Sequence, residues 1–301
     1  METETKTTTV KAPHGIFEIG GSPLTNPCVG GDRQTINWNQ TNPSEGVFNW
    51  KQIDAAIAGA SGAKKQLGSS VCDLSLPPTW VVEKGAKLYT SPNFKKGPMV
   101  LPFDPVAQPA LIAFIKALCR HLDGKVDYIT MGGMGYKTET YMPLPADIGY
   151  PATTAEFISK WVASSNLVID TYAANLKQTP FIIAAGTPFN DPSAVSQMTS
   201  VITHGLVHPL FGIMQWGLNA KSNSGFYINA FIQNKDVGRA TGFQMTGSQT
   251  EPHVGGELQG TLEDCLKAAK AMNADFVEVY SQDAENTALQ PMIQTYNLSL
   301  S

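Results

Sequence analysis

The sequence predicts an α/β fold, a single (β/α)8 TIM barrel, and two features carry this prediction. Eight short apolar runs, rich in β-branched and aromatic residues, recur along the chain, and helical patterns separate nearly all of them. Such alternation indicates parallel strands with right-handed crossovers, and eight units are the number that closes this barrel. Because no linker interrupts the alternation, we expect one barrel domain at 13–301 after a flexible segment at 1–12.

The predicted strands have the lengths of ordinary β-strands and are bounded by turn residues or by helical patterns. In chain order they cover residues 14–19, 34–40, 66–74, 126–131, 181–185, 211–218, 240–246 and 275–280.

Between these strands, apolar residues recur three and four positions apart, which places them on one face of a helix. The clearest stripes run through residues 53–60, 111–122, 157–172 and 262–272, and weaker patterns cover 192–203, 226–234 and 284–294.

A doubly wound open sheet is the alternative fold for the same alternation. Such sheets usually carry a G-x-G-x-x-G phosphate loop after the first strand. Here the first strand is followed by Gly20-Gly21-Ser22-Pro23, which does not match that pattern. The barrel is therefore favoured, and no nucleotide or other cofactor is expected.

The composition argues against two classes of partner. A net charge of −4 with only 15% charged residues provides no basic face for nucleic acid. No apolar run approaches the roughly 20 residues that span a bilayer. The start, METETKTTTVKAP, lacks the apolar core of a signal peptide. We therefore expect a secreted or periplasmic protein if a signal peptide was removed, and a cytoplasmic protein otherwise. A secreted protein could form a Cys28–Cys72 disulfide. The oligomeric state stays open.

Histidine spacing predicts no metal site. His204 and His208 are four residues apart, which would place them together on a helix. Gly205 and Pro209 interrupt that helix, so we expect the two rings not to align as ligands.

The segment from Ile36 to Trp50, INWNQTNPSEGVFNW, carries the strongest functional signal. It joins a strand to an aromatic and amide tip at 37–40, a Pro/Gly turn and a helix start. Aromatic faces beside amides suit sugars, which present apolar C–H faces ringed by hydroxyls. The segment resembles the W…P…G.F.W..(I/L)D stretch after the second strand of (β/α)8-barrel glycoside hydrolases of the retaining β-galactosidase/cellulase-like clan.

A second match follows the third strand, where Pro77-Pro78-Thr79-Trp80 resembles the P.W stretch of the same hydrolases. The similarity thus covers residues 33–142. It implies a glycosidase acting on a carbohydrate substrate, with catalytic carboxylates just beyond strands four and seven.

Glu139 is the candidate acid/base beyond strand four, by this resemblance. It follows the glycine-rich approach Gly132-Gly133-Met134-Gly135, which would let a substrate come close. The family usually has Asn before this glutamate, whereas Thr138 stands here, so a solvated loop carboxylate is the alternative.

Gln244 occupies the strand-seven position where the resemblance implies the nucleophilic glutamate. An amide has no negative charge with which to attack an anomeric carbon. Three explanations stay open: an engineered Glu-to-Gln change, a second carboxylate elsewhere, or a barrel that binds sugars without cleaving them.

Glu278 on strand eight is the best substitute. Alternation in Phe276-Val277-Glu278-Val279-Tyr280 points Glu278 into the barrel, where a carboxylate needs a partner. It is then either catalytic or half of a structural pair. Glu278 would lie across the barrel mouth from Glu139, which favours the wider carboxyl separation of about 6.5–9.5 Å. That separation implies inversion of the anomeric configuration, or sugar binding alone, whereas the resemblance favours retention of configuration.

The remaining strand ends supply candidate substrate-binding residues, because function in this fold lies at the carboxyl ends of the strands. These candidates are Glu18, Asn37, Trp38, Asp73, Trp80, Tyr136, Gln215, Trp216 and Tyr280.

Overall fold

The computed structural model describes residues 12–21, 24–90, 98–136, 140–186, 188–190, 194–222, 234–235 and 238–300. These residues form a closed barrel of eight parallel strands in sequential order, in which β8 returns to pair with β1. The strands are β1 Gly15–Ile19, β2 Gly31–Asn37, β3 Gln66–Cys72, β4 Tyr128–Thr130, β5 Phe181–Ala185, β6 Phe211–Leu218, β7 Thr241–Met245 and β8 Phe276–Tyr280. The predicted (β/α)8 barrel is confirmed.

Helices surround the barrel as its outer layer. Within the described part of the chain they are α1 Trp38–Thr41, α2 Lys51–Ala63, α3 Thr79–Glu83, α4 Ala107–Leu122, α5 Thr154–Asn175, α6 Val195–Leu206, α7 Leu262–Ala271, α8 Ser281–Ala284 and α9 Gln290–Ser299. Their apolar stripes pack on the outward side chains of the strands in one continuous core. No helix in these ranges combines the length and apolarity needed to cross a membrane.

Several element boundaries differ from the sequence-based expectation, and two of these differences have a clear physical reason. Strand β2 begins and ends three residues earlier than 34–40, because the chain coils into α1 at Trp38. Burial explains this turn, since the Trp38 ring is fully buried and stacks on Phe114 of α4 at 6.0 Å. Helix α9 begins at Gln290 rather than 284, with Pro291 in its first turn, where proline is tolerated.

Two other expectations meet different outcomes. The weak helix at 226–234 falls almost entirely outside the described residues, as does the segment 1–11 of the expected flexible start. Cys28 and Cys72 are both buried thiols, and the disulfide considered for a secreted protein is not formed.

Three aromatic rings fill one layer of the barrel interior. Phe17, Tyr128 and Phe276 contact one another with ring centroids 4.7–5.7 Å apart, and all three are fully buried. Edge-to-face and tilted contacts of this kind add to the burial of the rings themselves. We call this group the aromatic floor, because the polar side chains of the interior lie toward the carboxyl ends of the strands beside it.

Each ring of the aromatic floor occupies the space beside a glycine on the neighbouring strand. The register pairs Phe17 with Gly31, Tyr128 with Gly68 and Phe276 with Gly242. A Cβ atom at any of these glycines would lie 2.2–2.5 Å from a ring carbon, closer than packed atoms approach. Large rings and missing side chains therefore alternate around the interior, which is how the barrel accommodates three aromatic rings in one layer.

This complementarity predicts a specific cost for a single methyl group. Gly68→Ala places its Cβ against the Tyr128 ring, which is locked by its neighbours, so it should destabilise the fold by more than about 2 kcal/mol. Gly62→Ala is the matched control, because that glycine is exposed on α2 with nothing within 4 Å. Because alanine is favourable in a helix, the free energy of unfolding of Gly62→Ala should be unchanged or higher by up to about 1 kcal/mol. Equal urea midpoints for both variants would contradict the packing account.

Candidate functional site

Polar and aromatic side chains of strands β2, β6, β7 and β8 meet inside the barrel, toward the carboxyl ends of the strands. We call this group the inner polar cluster; it consists of Arg33, Trp216, Gln244, Glu278 and Tyr280. Alternation along β8 explains the position of Glu278: Phe276 lies in the aromatic floor, whereas Val277 and Val279 pack outward. The glutamate between the two valines therefore points inward, as the sequence predicts.

An ion pair lies at the centre of the cluster. Arg33 Nε donates to Glu278 Oε2 at 3.3 Å, and the two side chains are 9% and 1% exposed. Tyr128 of the aromatic floor donates its hydroxyl to Glu278 Oε1 at 2.6 Å. Burial would by itself lower the pKa of Arg33, but the Glu278 carboxylate raises it above the ordinary value. Burial and the same carboxylate raise the pKa of Tyr128 well above its ordinary value, so Tyr128 remains a donor.

The guanidinium of Arg33 also orients Gln244. Arg33 Nη2 donates to Gln244 Oε1 at 3.1 Å, and Gln244 Nε2 donates to the Tyr280 hydroxyl at 3.5 Å. Gln244 and Glu278 are register partners on adjacent strands. A carboxylate at position 244 would place a second negative charge beside Glu278, and the single guanidinium of Arg33 would have to neutralise both. The amide instead leaves the group balanced, one positive charge against one negative charge.

Trp216 adds an aromatic surface and an available donor. Its ring centroid is 5.9 Å from the Arg33 guanidinium carbon, within the range of a cation–π contact. The indole Nε1 is buried and makes no hydrogen bond within the described part of the chain. Such a donor is costly to leave unsatisfied, so it marks a place where a ligand oxygen would be favoured.

Four other predicted binding residues do not belong to the inner polar cluster. Asn37 ends β2 on the face shared with Arg33, and its amide donates to Gln40 at 3.1 Å. Gln215 lies between inward Met214 and Trp216 and so faces the helices. Two further candidates lie beyond the strands: Trp80 is half-buried on α3 and donates to the carbonyl of Asn42 at 3.1 Å, and Tyr136 is buried in the loop after β4.

The structure corrects the expectation for Trp38 and Glu18. Trp38 has no exposed ring face, because it is packed in the core on Phe114. Glu18 shares the outward face of β1 with Ile16, and its Oε2 accepts from Asn26 Nδ2 at 3.0 Å. A polar residue at a strand end can face either side of the sheet, and here it holds the β1–β2 loop rather than lining the barrel mouth.

Asp73 is also removed from the barrel mouth. It is fully buried just after β3, close to Tyr172 of α5, and Gly132 leaves the space that its Oδ2 occupies. Oδ1 accepts from the Leu74 amide at 2.5 Å, whereas Oδ2 makes no hydrogen bond within the described ranges. Burial raises the pKa of Asp73 to about 7, with backbone amides opposing the shift.

Two residues of the site, Arg33 and Tyr128, are not predicted from the sequence, and one predicted residue is not among those that the structure describes. Arg33 and Tyr128 hold Glu278, but with β2 placed at 34–40 Arg33 fell before the strand. One sequence feature could have indicated Arg33: a glutamate that points into the barrel needs a cationic partner. Glu139, the candidate acid/base, lies outside the described residues.

Comparison with known proteins gives structural likeness without sequence likeness. No family model and no curated protein sequence matches the chain. The catalytic domain of β-amylase from Paenibacillus polymyxa matches with a TM-score of 0.61 at 10% identity, over 96% of this chain and 99% of that chain. Xylanase B from Clostridium stercorarium F9 gives a TM-score of 0.46 at 13% identity, over 89% of this chain and 86% of that chain. At such identity the likeness establishes the fold alone.

The buried Asp73 predicts a pH dependence of stability. Its pKa is about 7 when folded and near 3.8 when unfolded, so the folded state binds the proton more tightly. Stability from this group is full below pH 3.8 and is lost as pH rises through 7, a change on the order of 4 kcal/mol. Urea unfolding from pH 4 to 8 should show that decline in the parent, and Asp73→Asn should lack it. Parallel curves for the two proteins would contradict this assignment.

Proposed function

We propose that the protein is a glycoside hydrolase that binds a carbohydrate over the inner polar cluster, at the carboxyl ends of the strands. One observation carries the proposal. Glu278 is an inward carboxylate that pairs with Arg33 Nε at 3.3 Å, and it lies among the aromatic and amide groups that suit a sugar. The likeness to the β-amylase catalytic domain supports the fold on which such a site is built.

The lining of the cluster matches the two surfaces of a sugar ring. Trp216 and Tyr280 offer aromatic faces for C–H bonds, and the free indole N–H of Trp216 can donate to a hydroxyl. Gln244 adds an amide with both donor and acceptor atoms. Small-ligand sites generally combine apolar walls with a few oriented polar groups in this way.

Glu278 has the capacity to act as the general base. A carboxylate has about four lone-pair positions, and the Tyr128 and Arg33 bonds use two of them. The others can accept a proton from a water bound over the cluster. We assign the acid that protonates the leaving oxygen to Glu139, from the resemblance beyond strand four. Strands four and eight lie opposite each other in the ring, which favours a gap wide enough for water and therefore inversion.

In this scheme Gln244 binds rather than attacks. Arg33 fixes its oxygen, so its Nε2 is presented toward Tyr280 and can donate to a sugar hydroxyl. A hydrogen bond to a hydroxyl that tightens as the oxocarbenium-like transition state forms assists hydrolysis without covalent attack.

A non-hydrolytic carbohydrate-binding barrel is the second candidate. The observation that favours it is the completeness of the ion pair: Glu278 is 1% exposed and neutralised by Arg33, while the strand-seven position is an amide. Such a cluster orients hydroxyls equally well without cleaving any bond.

Hydrolysis of aryl glycosides and of natural oligosaccharides separates the two candidates. The glycosidase proposal predicts measurable turnover that Glu278→Gln lowers by at least about 100-fold in kcat with a smaller change in KM. Trp216→Ala should mainly raise KM through lost stacking and hydrogen bonding. Glu263→Gln is the matched control, because Glu263 is an exposed residue of α7 paired with Lys267 away from the cluster, and it should keep full activity. Circular dichroism verifies that each variant is folded.

Each outcome assigns a role or removes one. If Gln244→Glu raises turnover by orders of magnitude, the nucleophile belongs on strand seven and the assignment of Glu278 as base is wrong. If no variant cleaves a glycan but calorimetry detects binding that Trp216→Ala abolishes, the second candidate is correct. If no variant in the panel cleaves or binds any glycan, both candidates are wrong.

A further inference from the structure

Two histidines and an aspartate meet on the outer helix layer. Asp170 Oδ1 is 2.8 Å from His204 Nε2 and 3.2 Å from His208 Nε2, and their potential ligand atoms all lie within 4.8 Å of one another. Asp170 is near the end of α5, His204 is in the last turn of α6, and His208 precedes β6. These connections lead into the amino ends of the strands, so the group lies on the face opposite the inner polar cluster.

The helix break that argued against a metal site instead creates the convergence. Helix α6 runs through Gly205 and ends at Leu206, and a turn then holds His208, whose N–H donates to the Gly205 carbonyl at 2.9 Å. The two imidazole rings end 6.0 Å apart, centroid to centroid, and both reach the same carboxylate oxygen. The expectation that the break separates them is therefore wrong.

We propose that Asp170, His204 and His208 form a zinc site. Two imidazole nitrogens and one carboxylate oxygen are a donor set that suits Zn²⁺, with water in the fourth position. Bonds of about 2.1 Å at tetrahedral angles separate neighbouring ligand atoms by about 3.3–3.4 Å. The observed separations of 2.8 and 3.2 Å between Asp170 and the two histidines need a slight expansion to admit the ion. The two histidine nitrogens lie within 4.8 Å of each other, so side-chain rotation can bring them to the required separation.

Proton placement agrees with this proposal. Without a metal, each Nε2 must carry a proton to donate to Asp170, so one carboxylate oxygen receives two donors. If Zn²⁺ bound, the Nε2 proton of each neutral ring would move to Nδ1 by exchange with water, which would free the Nε2 lone pair for the ion. Asp170 would offer the same oxygen to the ion. The bonds to zinc then replace the two hydrogen bonds.

The surroundings hold His208 in place before any ion arrives. Its ring lies 6.5 Å from the Phe181 ring, centroid to centroid, and its carbonyl accepts from the Phe211 amide and from Arg239 Nε, both at 3.2 Å. A fixed backbone lowers the entropy lost on binding. The nearby Arg239 charge opposes a cation, and the ligands are partly exposed, so the affinity should be below that of an enclosed four-residue site.

The position of the site indicates a structural role. It would join α5 to α6 and to the turn that enters β6, three parts of the outer layer held otherwise by packing. The amino-terminal face of such barrels serves stability rather than chemistry. The zinc site is thus independent of the proposed glycosidase activity.

Calorimetric titration of chelator-treated protein with Zn²⁺ tests the proposal. We expect saturation at one equivalent per chain, with affinity lowered more than about 10-fold in His204→Ala, His208→Ala and Asp170→Asn. His121→Ala is the matched control, because His121 Nε2 also bonds one aspartate, Asp54 at 2.7 Å, but no second histidine joins this pair among the residues that the structure describes. That variant should bind zinc as the parent does.

Two further measurements cover the case of an unstable variant. In the parent and in His121→Ala, Zn²⁺ should raise the thermal unfolding midpoint, whereas Ca²⁺ should not, because imidazoles are poor ligands for it. Co²⁺ bound to the parent should give the visible absorption of a tetrahedral nitrogen and oxygen site. Absence of zinc binding by the parent, or equal binding by all three ligand variants, would overturn the proposal.

Discussion

The interior of this barrel is organised by one buried ion pair, Arg33 with Glu278. Taking two charges out of water costs several kcal/mol for each ion, and the cost is offset only when geometry and further hydrogen bonds satisfy both groups. Here Tyr128 completes one side of the carboxylate, while Thr35 Oγ1 at 2.9 Å and Gln244 complete the guanidinium. The orientation of Gln244 follows from that requirement, because Arg33 fixes the oxygen of this amide on β7, where a carboxylate was expected.

The aromatic floor connects the fold to this ion pair. Tyr128 belongs to both, because its ring fills the space beside Gly68 and its hydroxyl reaches Glu278. The depth at which the carboxylate lies is therefore set by glycine and aromatic pairs on neighbouring strands. The ligand binding proposed at the mouth would therefore depend on the packing one layer below it, which is the usual relation between a rigid scaffold and a precise site.

Much of the fold could be predicted from the sequence, because the alternation of strands and helices is a local pattern. The inward direction of Glu278 also follows from alternation. What escaped depends on long-range pairing: Arg33 lies 245 residues from its partner, and a three-residue error in β2 hid it. Strand ends also do not reveal which face a side chain takes, so Glu18 and Asp73 were assigned to the mouth although both lie buried away from it.

The most direct test of the central ion pair is a double-mutant cycle on stability. Arg33→Met and Glu278→Gln would be measured singly and together by urea unfolding at one pH. Because each single change leaves a buried group without its partner, we expect a coupling free energy of at least about 2 kcal/mol, with the double variant more stable than the sum of the single effects predicts. Additive effects within experimental error would show that the two side chains fold independently, and the account of the barrel interior would fail.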